Sequence, residues 1–157
     1  SRCYLAMQAL IKRDAQEIWS AIENCWQDKA HNDYGAHYFL MRLFGLVEGW
    51  TEEALLDIRK ILSNAITDKR PQFRKSPPAA LLSFAILFPG QYDCFLDNCL
   101  SLKNTLSWDI RYAALLLIQS DQTEHLQLRY QRQLQQLVEL DGDSVLQLKA
   151  QSILDRG

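Results

Sequence analysis

Glycine and proline are scarce in this chain, six and four in 157 residues, and valine and threonine are few beside leucine, alanine and glutamine. A chain short of turn formers and β-branched residues favours helix over sheet. No apolar run approaches the ~20 residues that span a bilayer, and no signal peptide is visible, so no membrane partner is expected. Positive charge is also short: 17 Lys and Arg stand against 19 Asp and Glu, a net charge of −2. That balance argues against a protein dedicated to nucleic acid, and a mildly acidic surface suits another protein as partner. Gly-rich phosphate loops, nucleophile elbows, zinc spacings and dinucleotide fingerprints are all missing, so no cofactor is expected.

Cysteine is sparse too, with Cys3, Cys25, Cys94 and Cys99 each set in an apolar helical pattern. Free cysteine in such a setting behaves as a small hydrophobe, so reduced, buried thiols in a cytoplasmic protein are expected. Cys94 and Cys99 are five apart, which matches no common zinc spacing. What is plentiful is ordinary globular material, 48% hydrophobic and 23% charged, enough for one α-helical domain over residues 1–157 without metal or disulfide staples. The chain starts at Ser1 rather than Met, as expected of a trimmed chain or an internal domain.

The helices can be read in order. A first is expected over about Cys3–Lys12, and a second after Asp14, with Ile18, Ala21, Ile22 and Cys25 on one face. Asn32 or Asp33 caps an aromatic-rich helix, Tyr34–Val47, and Thr51 opens another to about Asn64. Asp68–Ser76 is the longest irregular segment and holds Lys69, Arg70, Arg74 and Lys75. Ser76-Pro77-Pro78 then starts a helix that is apolar nearly all round, since proline is tolerated in a first turn. Further helices are expected over Tyr92–Leu102, Ser107–Ser120 and Asp121–Leu140, and from Asp143 to about Leu154. In the Asp121–Leu140 helix Leu126, Tyr130, Leu134, Leu137 and Val138 form one buried stripe, with Gln127 and Gln131 in solvent. The Ser107–Ser120 stretch, SWDIRYAALLLIQS, is apolar on nearly every side and must be covered on every side.

That stretch resembles the second helix of a HEAT-type helical repeat: Asp109 opens it, Ile110 and Arg111 follow, and Ala114 is the small residue set against the partner helix. A partial copy recurs in DGDSVLQLKAQSIL, where Leu146–Ala150 matches Ile110–Ala114 at an offset of 36 residues, with Gln147 in place of the arginine. The offset is near the ~40-residue period of such repeats. The resemblance is best over residues 91–157, and it implies an all-α fold of stacked antiparallel hairpins, a HEAT-like α-solenoid; the rival architecture is an irregular helical bundle. DNA-alkylation-repair glycosylases are also HEAT-like, and Trp108-x-x-Arg111 resembles a segment of theirs.

Chemistry-bearing residues gather in two places. His31 and His37 lie six apart, which puts them ~120° apart around a helix, so they do not form a metal pair. Asp93 and Asp97 are one turn apart on what reads as a solvated face. With no catalytic constellation, the chain reads as a non-catalytic protein-binding module rather than an enzyme. The forms expected are an adaptor or regulatory subunit, or an inhibitor such as a bacterial immunity protein that binds a cognate toxin. Its partner-binding residues are expected among Tyr34, His37 and Tyr38 of the aromatic helix and Lys69, Arg70, Arg74 and Lys75 of the basic loop, since aromatic and arginine anchors dominate interface energies. The alternative is a nucleic-acid-acting enzyme of the HEAT-like DNA glycosylase type.

Overall fold

The structure, a computed structural model, describes residues 15–27, 32–101, 108–121, 123–140 and 143–156. The helix expected over Cys3–Lys12, and Cys3, His31 and Ser107, lie outside them. Every regular element among the described residues is helical, and the fold is all-α. The chain divides into two compact units, Ser1–Pro89 and Gly90–Gly157.

Among the described residues the first unit contains α1 (Ala15–Cys25), α2 (Tyr34–Leu46), α3 (Glu52–Ile66), a 3-10 turn (Pro71–Phe73) and α4 (Ser76–Leu87). The caps are those expected. Asp33 accepts a hydrogen bond from the Ala36 amide at 3.0 Å, and Thr51 Oγ1 accepts one from Ala54 at 3.1 Å. Each satisfies a first-turn N–H that has no partner inside the helix. Apolar all round, α4 packs against both α2 and α3, burying Ala80, Leu81 and Phe84. Its approach to α2 is close because Gly45 has no side chain: a Cβ there would lie 2.7 Å from Ser83 Oγ and 3.0 Å from Ser83 Cα. The Ser83 hydroxyl is itself engaged, donating to the Met41 carbonyl of α2.

The second unit contains α5 (Asp93–Leu100), α6 (Trp108–Ser120), α7 (His125–Arg129), α8 (Gln131–Leu140) and α9 (Ser144–Leu154). As its composition requires, α6 is covered on most sides, with Ile110, Ala113, Ala114, Leu115, Leu117 and Ile118 buried against neighbours that include α5 and α9. Asp143 caps α9 by accepting from the Val145 and Leu146 amides at 2.9 and 3.0 Å.

The single helix expected over Asp121–Leu140 is two. The Asp121 carboxylate accepts from Thr123 Oγ1 at 2.7 Å, the Thr123 amide at 3.1 Å and the Leu126 amide at 2.9 Å, and Glu124 takes a left-handed backbone at φ 58°. These bonds compete with helix and delay its start to His125. A second interruption falls at Tyr130, whose hydroxyl donates to the Asp93 carbonyl at 2.8 Å and ties the chain to α5. Leu126, Tyr130, Leu134 and Leu137 are buried together all the same. Gln127, expected in solvent, is buried and accepts from Arg156 Nη2 at 3.1 Å. Asp93 pairs at the surface with Arg129 Nη1 at 2.7 Å and Asp97 is exposed, in keeping with the solvated face expected of them.

Buried thiols are found at Cys99 but not at Cys25 or Cys94, which are exposed; all three are free. Cys25 closes α1 and Cys94 sits in the first turn of α5.

Candidate functional site

The aromatic helix and the basic loop, 35 residues apart in sequence, meet in the first unit. Tyr34, Gly35 and Tyr38 lie along the start of α2, and α-helical periodicity places residues four apart on one side. Opposite them runs Pro71–Ser76. Together these residues enclose a cleft of about 420 Å3 lined by Tyr34, Gly35, Tyr38, Pro71, Gln72, Phe73, Arg74, Lys75 and Ser76.

Phe73 fixes the loop. It is 2% exposed and meets the His37 ring edge-on, centroids 4.9 Å apart. On the loop's approach, Arg70 lays its guanidinium over the Phe73 ring at 3.9 Å and grips Asp68 at 2.6 Å through Nη2, with its backbone N–H donating to the same carboxylate at 3.0 Å. Burial opposes the Asp68 charge, but the hydrogen bonds and positive charge of Arg70 outweigh it and hold the carboxyl below its ordinary range. Arg70 is thereby occupied inside the loop.

His37 lies beneath the cleft at 3% exposure, its ring 5.4 Å from that of Trp26. Its Nδ1 and Ser76 Oγ are 2.7 Å apart, a hydrogen bond whose direction follows the imidazole tautomer. Burial pulls the His37 pKa down, against a smaller upward pull from Asp68, so the ring is neutral at pH 7. Ser76, expected only as a helix start, is fully buried at the floor of the cleft. A neutral histidine and a buried hydroxyl make a rigid polar floor without charge.

The walls differ from the floor. Tyr34 is exposed and Tyr38 half-buried, its hydroxyl accepting from Arg42 Nη1 at 3.4 Å. Arg74 and Lys75 are exposed, and among the described residues neither has a carboxylate partner. Backbone donors are few here, because Pro77 and Pro78 follow Ser76 and carry no N–H. Of the seven residues expected to bind a partner, the structure brings Tyr34, Tyr38, Arg74 and Lys75 together at the cleft. It sets His37 under the cleft, ties Arg70 to Asp68 and leaves Lys69 exposed outside the lining. The signal for the missed floor was the apolar Phe73 inside a basic run, which marks an anchored turn rather than a free loop. Among the described residues no group of His, Cys, Asp and Glu is arranged to hold a metal ion.

An aromatic, cationic cleft over a neutral floor suits a flat anion. The chain is 38% identical over 156 residues to the Bilin biosynthesis protein CpeY of Synechococcus sp. (strain WH8020), covering 98% of this chain and 36% of that protein. This chain is similar to a bilin biosynthesis protein. It is also 32% identical over 118 residues to the Uncharacterized phycocyanin operon protein Y of Pseudanabaena tenuis (strain PCC 7409), covering 75% of this chain and 26% of that protein. The chain thus spans about a third and a quarter of the lengths of these curated relatives. No family model and no solved structure matches it.

These relatives overturn the expectation of a non-catalytic module that serves as adaptor, inhibitor or immunity protein, and with it the expectation that the chain is not an enzyme. They overturn the DNA glycosylase alternative as well. The error has a physical root: a helical scaffold is shared by many activities, and neither a resemblance to a repeat nor net charge names a substrate. No described helix is long and apolar enough to cross a membrane.

Proposed function

We propose that this chain is part of an enzyme of bilin biosynthesis, acting in the cytoplasm where a bilin is passed to the protein that will carry it. The observation that carries the reading is the likeness to the bilin biosynthesis protein along 98% of the chain. The second relative's name, which places it in a phycocyanin operon, supports phycocyanin as the acceptor in this proposal. Another protein is then a partner after all, but as the recipient of a pigment rather than as a target to be blocked. The helical scaffold fits this work if its hairpins stack as HEAT-like repeats, which the 36-residue recurrence of Ile110–Ala114 at Leu146–Ala150 favours.

Removing the gene segment that encodes this chain from its source cell tests the proposal. Bilin covalently held by the phycobiliprotein should fall, read as visible absorbance and fluorescence of the denatured pigment protein, while free bilin remains. A bound-pigment spectrum identical to that of the parent refutes it.

A further inference from the structure

Resting on the bilin reading above, we infer that the cleft between the start of α2 and Pro71–Ser76 is a propionate subsite. There Arg74 and Lys75 take the two propionate carboxylates of a bilin, and Tyr34 and Tyr38 lie against its conjugated plane.

Four observations converge on this. The cleft, at about 420 Å3, falls within the ~300–1,000 Å3 of small-molecule sites. Its lining holds two cations and no acid, and among the described residues those cations have no carboxylate partner, whereas Arg70 beside them is held by Asp68. Two adjacent cations without carboxylate partners among the described residues suit a ligand with two anionic groups, and a linear tetrapyrrole carries two propionates. Nothing beneath competes for them: Ser76 and the neutral His37 form the floor, and the Asp68 charge is engaged by Arg70.

The two tyrosines account for the rest of the ligand. Aromatic side chains offer a large, flat surface to a conjugated ring system, and Tyr38 is steadied by Arg42 beside it. A phosphate ligand would call instead for a cradle of backbone N–H groups, and Pro77 and Pro78 remove two of the donors that the start of α4 would have supplied. Grip by charged side chains alone suits carboxylates on flexible arms.

Absorbance titration of the 157-residue chain with biliverdin, and separately with biliverdin dimethyl ester, tests the subsite. Biliverdin should shift its visible band and saturate at one per chain. The ester, whose carboxylates are blocked, should bind about tenfold or more weakly, as expected for loss of charge-assisted hydrogen bonds. Arg74→Ser/Lys75→Ser should weaken biliverdin by a similar factor and abolish its salt dependence. Lys69→Ser, which removes an exposed cation outside the lining, should leave the titration unchanged. Both altered side chains of the double variant are exposed, and its far-ultraviolet circular dichroism should match the parent, so weakened binding reports the cleft and not unfolding.

Equal binding of acid and ester, unaltered binding by the double variant, or no binding of either probe each overturns the subsite. So does a double variant that keeps biliverdin but loses capture of apo-phycocyanin, since the cations would then serve the acceptor protein. Loss of pigment attachment in the deletion cells together with a failed titration retains the proposed function and rejects the subsite. A successful titration with attachment unaffected does the reverse.

Discussion

Replacing Gly45 by alanine tests the packing that sets the cleft's frame, because α2 carries Tyr34 and Tyr38 while α4 begins at Ser76. The new methyl would stand 2.7 Å from Ser83 Oγ, 3.0 Å from Ser83 Cα and 3.1 Å from Ser83 Cβ. Ser83 is 3% exposed and its hydroxyl is committed to the Met41 carbonyl, so Oγ cannot swing away without losing its acceptor. The clash with the Ser83 main chain yields only if the two helices separate by a few tenths of an ångström. Overpacking of this kind costs about 1–3 kcal/mol. Against it stands the up to ~1 kcal/mol gained by removing a glycine from a helix. The clash wins, for a net loss of about 1 kcal/mol, which in a chain of this length lowers Tm by roughly 2–4 °C. Gly35→Ala is the contrast: its Cβ would meet Asp33 Oδ1 at an ordinary 3.4 Å, and stability should not fall. Adding Ser83→Ala to Gly45→Ala should recover only part of the loss, since the main chain and the β-carbon at position 83 would still crowd the new methyl. Thermal melts followed at 222 nm decide the matter, and a Gly45→Ala protein that melts at or above the parent temperature refutes the reasoning.

Two other perturbations follow from the described burial. The folded pKa of His37 lies below its unfolded value of 6.5, so between the two the unfolded chain binds the extra proton; the stabilising share of His37 is complete above pH 6.5 and declines as pH falls through the folded pKa. Tm should therefore drop between pH 7 and pH 5, and His37→Gln should flatten that slope; an unchanged slope in the variant would mean other groups carry it. Burial pushes the Cys99 thiol up to about 12, so at pH 8 it stays protonated and should resist a thiol reagent that modifies exposed Cys25 and Cys94, as peptide mass mapping before and after unfolding will show.

Local chemistry was the legible part of this sequence. Asp33, Thr51 and Asp143 announce helix starts because capping depends only on residues two or three positions on. Apolar composition likewise marked α4 and α6 as helices that need cover. The broken helix after Asp121 was not legible, since its stripe of Leu126, Tyr130, Leu134 and Leu137 has helical spacing and the breaks come from a carboxylate that outbids the helix and a hydroxyl reaching Asp93. Gln127 reads as a surface residue until Arg156, 29 positions on, arrives beside it. At the candidate site residue type was enough to single out Tyr34, Tyr38, Arg74 and Lys75, but not to show that they face one space or that Ser76 closes its floor. Function was misread for a different reason. A helical scaffold serves many activities, and no spacing motif in this sequence names a substrate.

The paired prolines at the start of α4 govern how long a guest would stay. A helix opening with its full set of N–H groups holds an anion in a fixed cage, and release requires the backbone to give way. With Pro77 and Pro78 in that place, an anion above Ser76 is held by the ends of Arg74 and Lys75, exposed side chains that change rotamer in picoseconds to nanoseconds. Each arm can let go while the other holds, so a two-armed ligand departs stepwise and a recipient's own cations can take over one carboxylate at a time. If the cleft takes such a ligand, it works as a relay rather than a store.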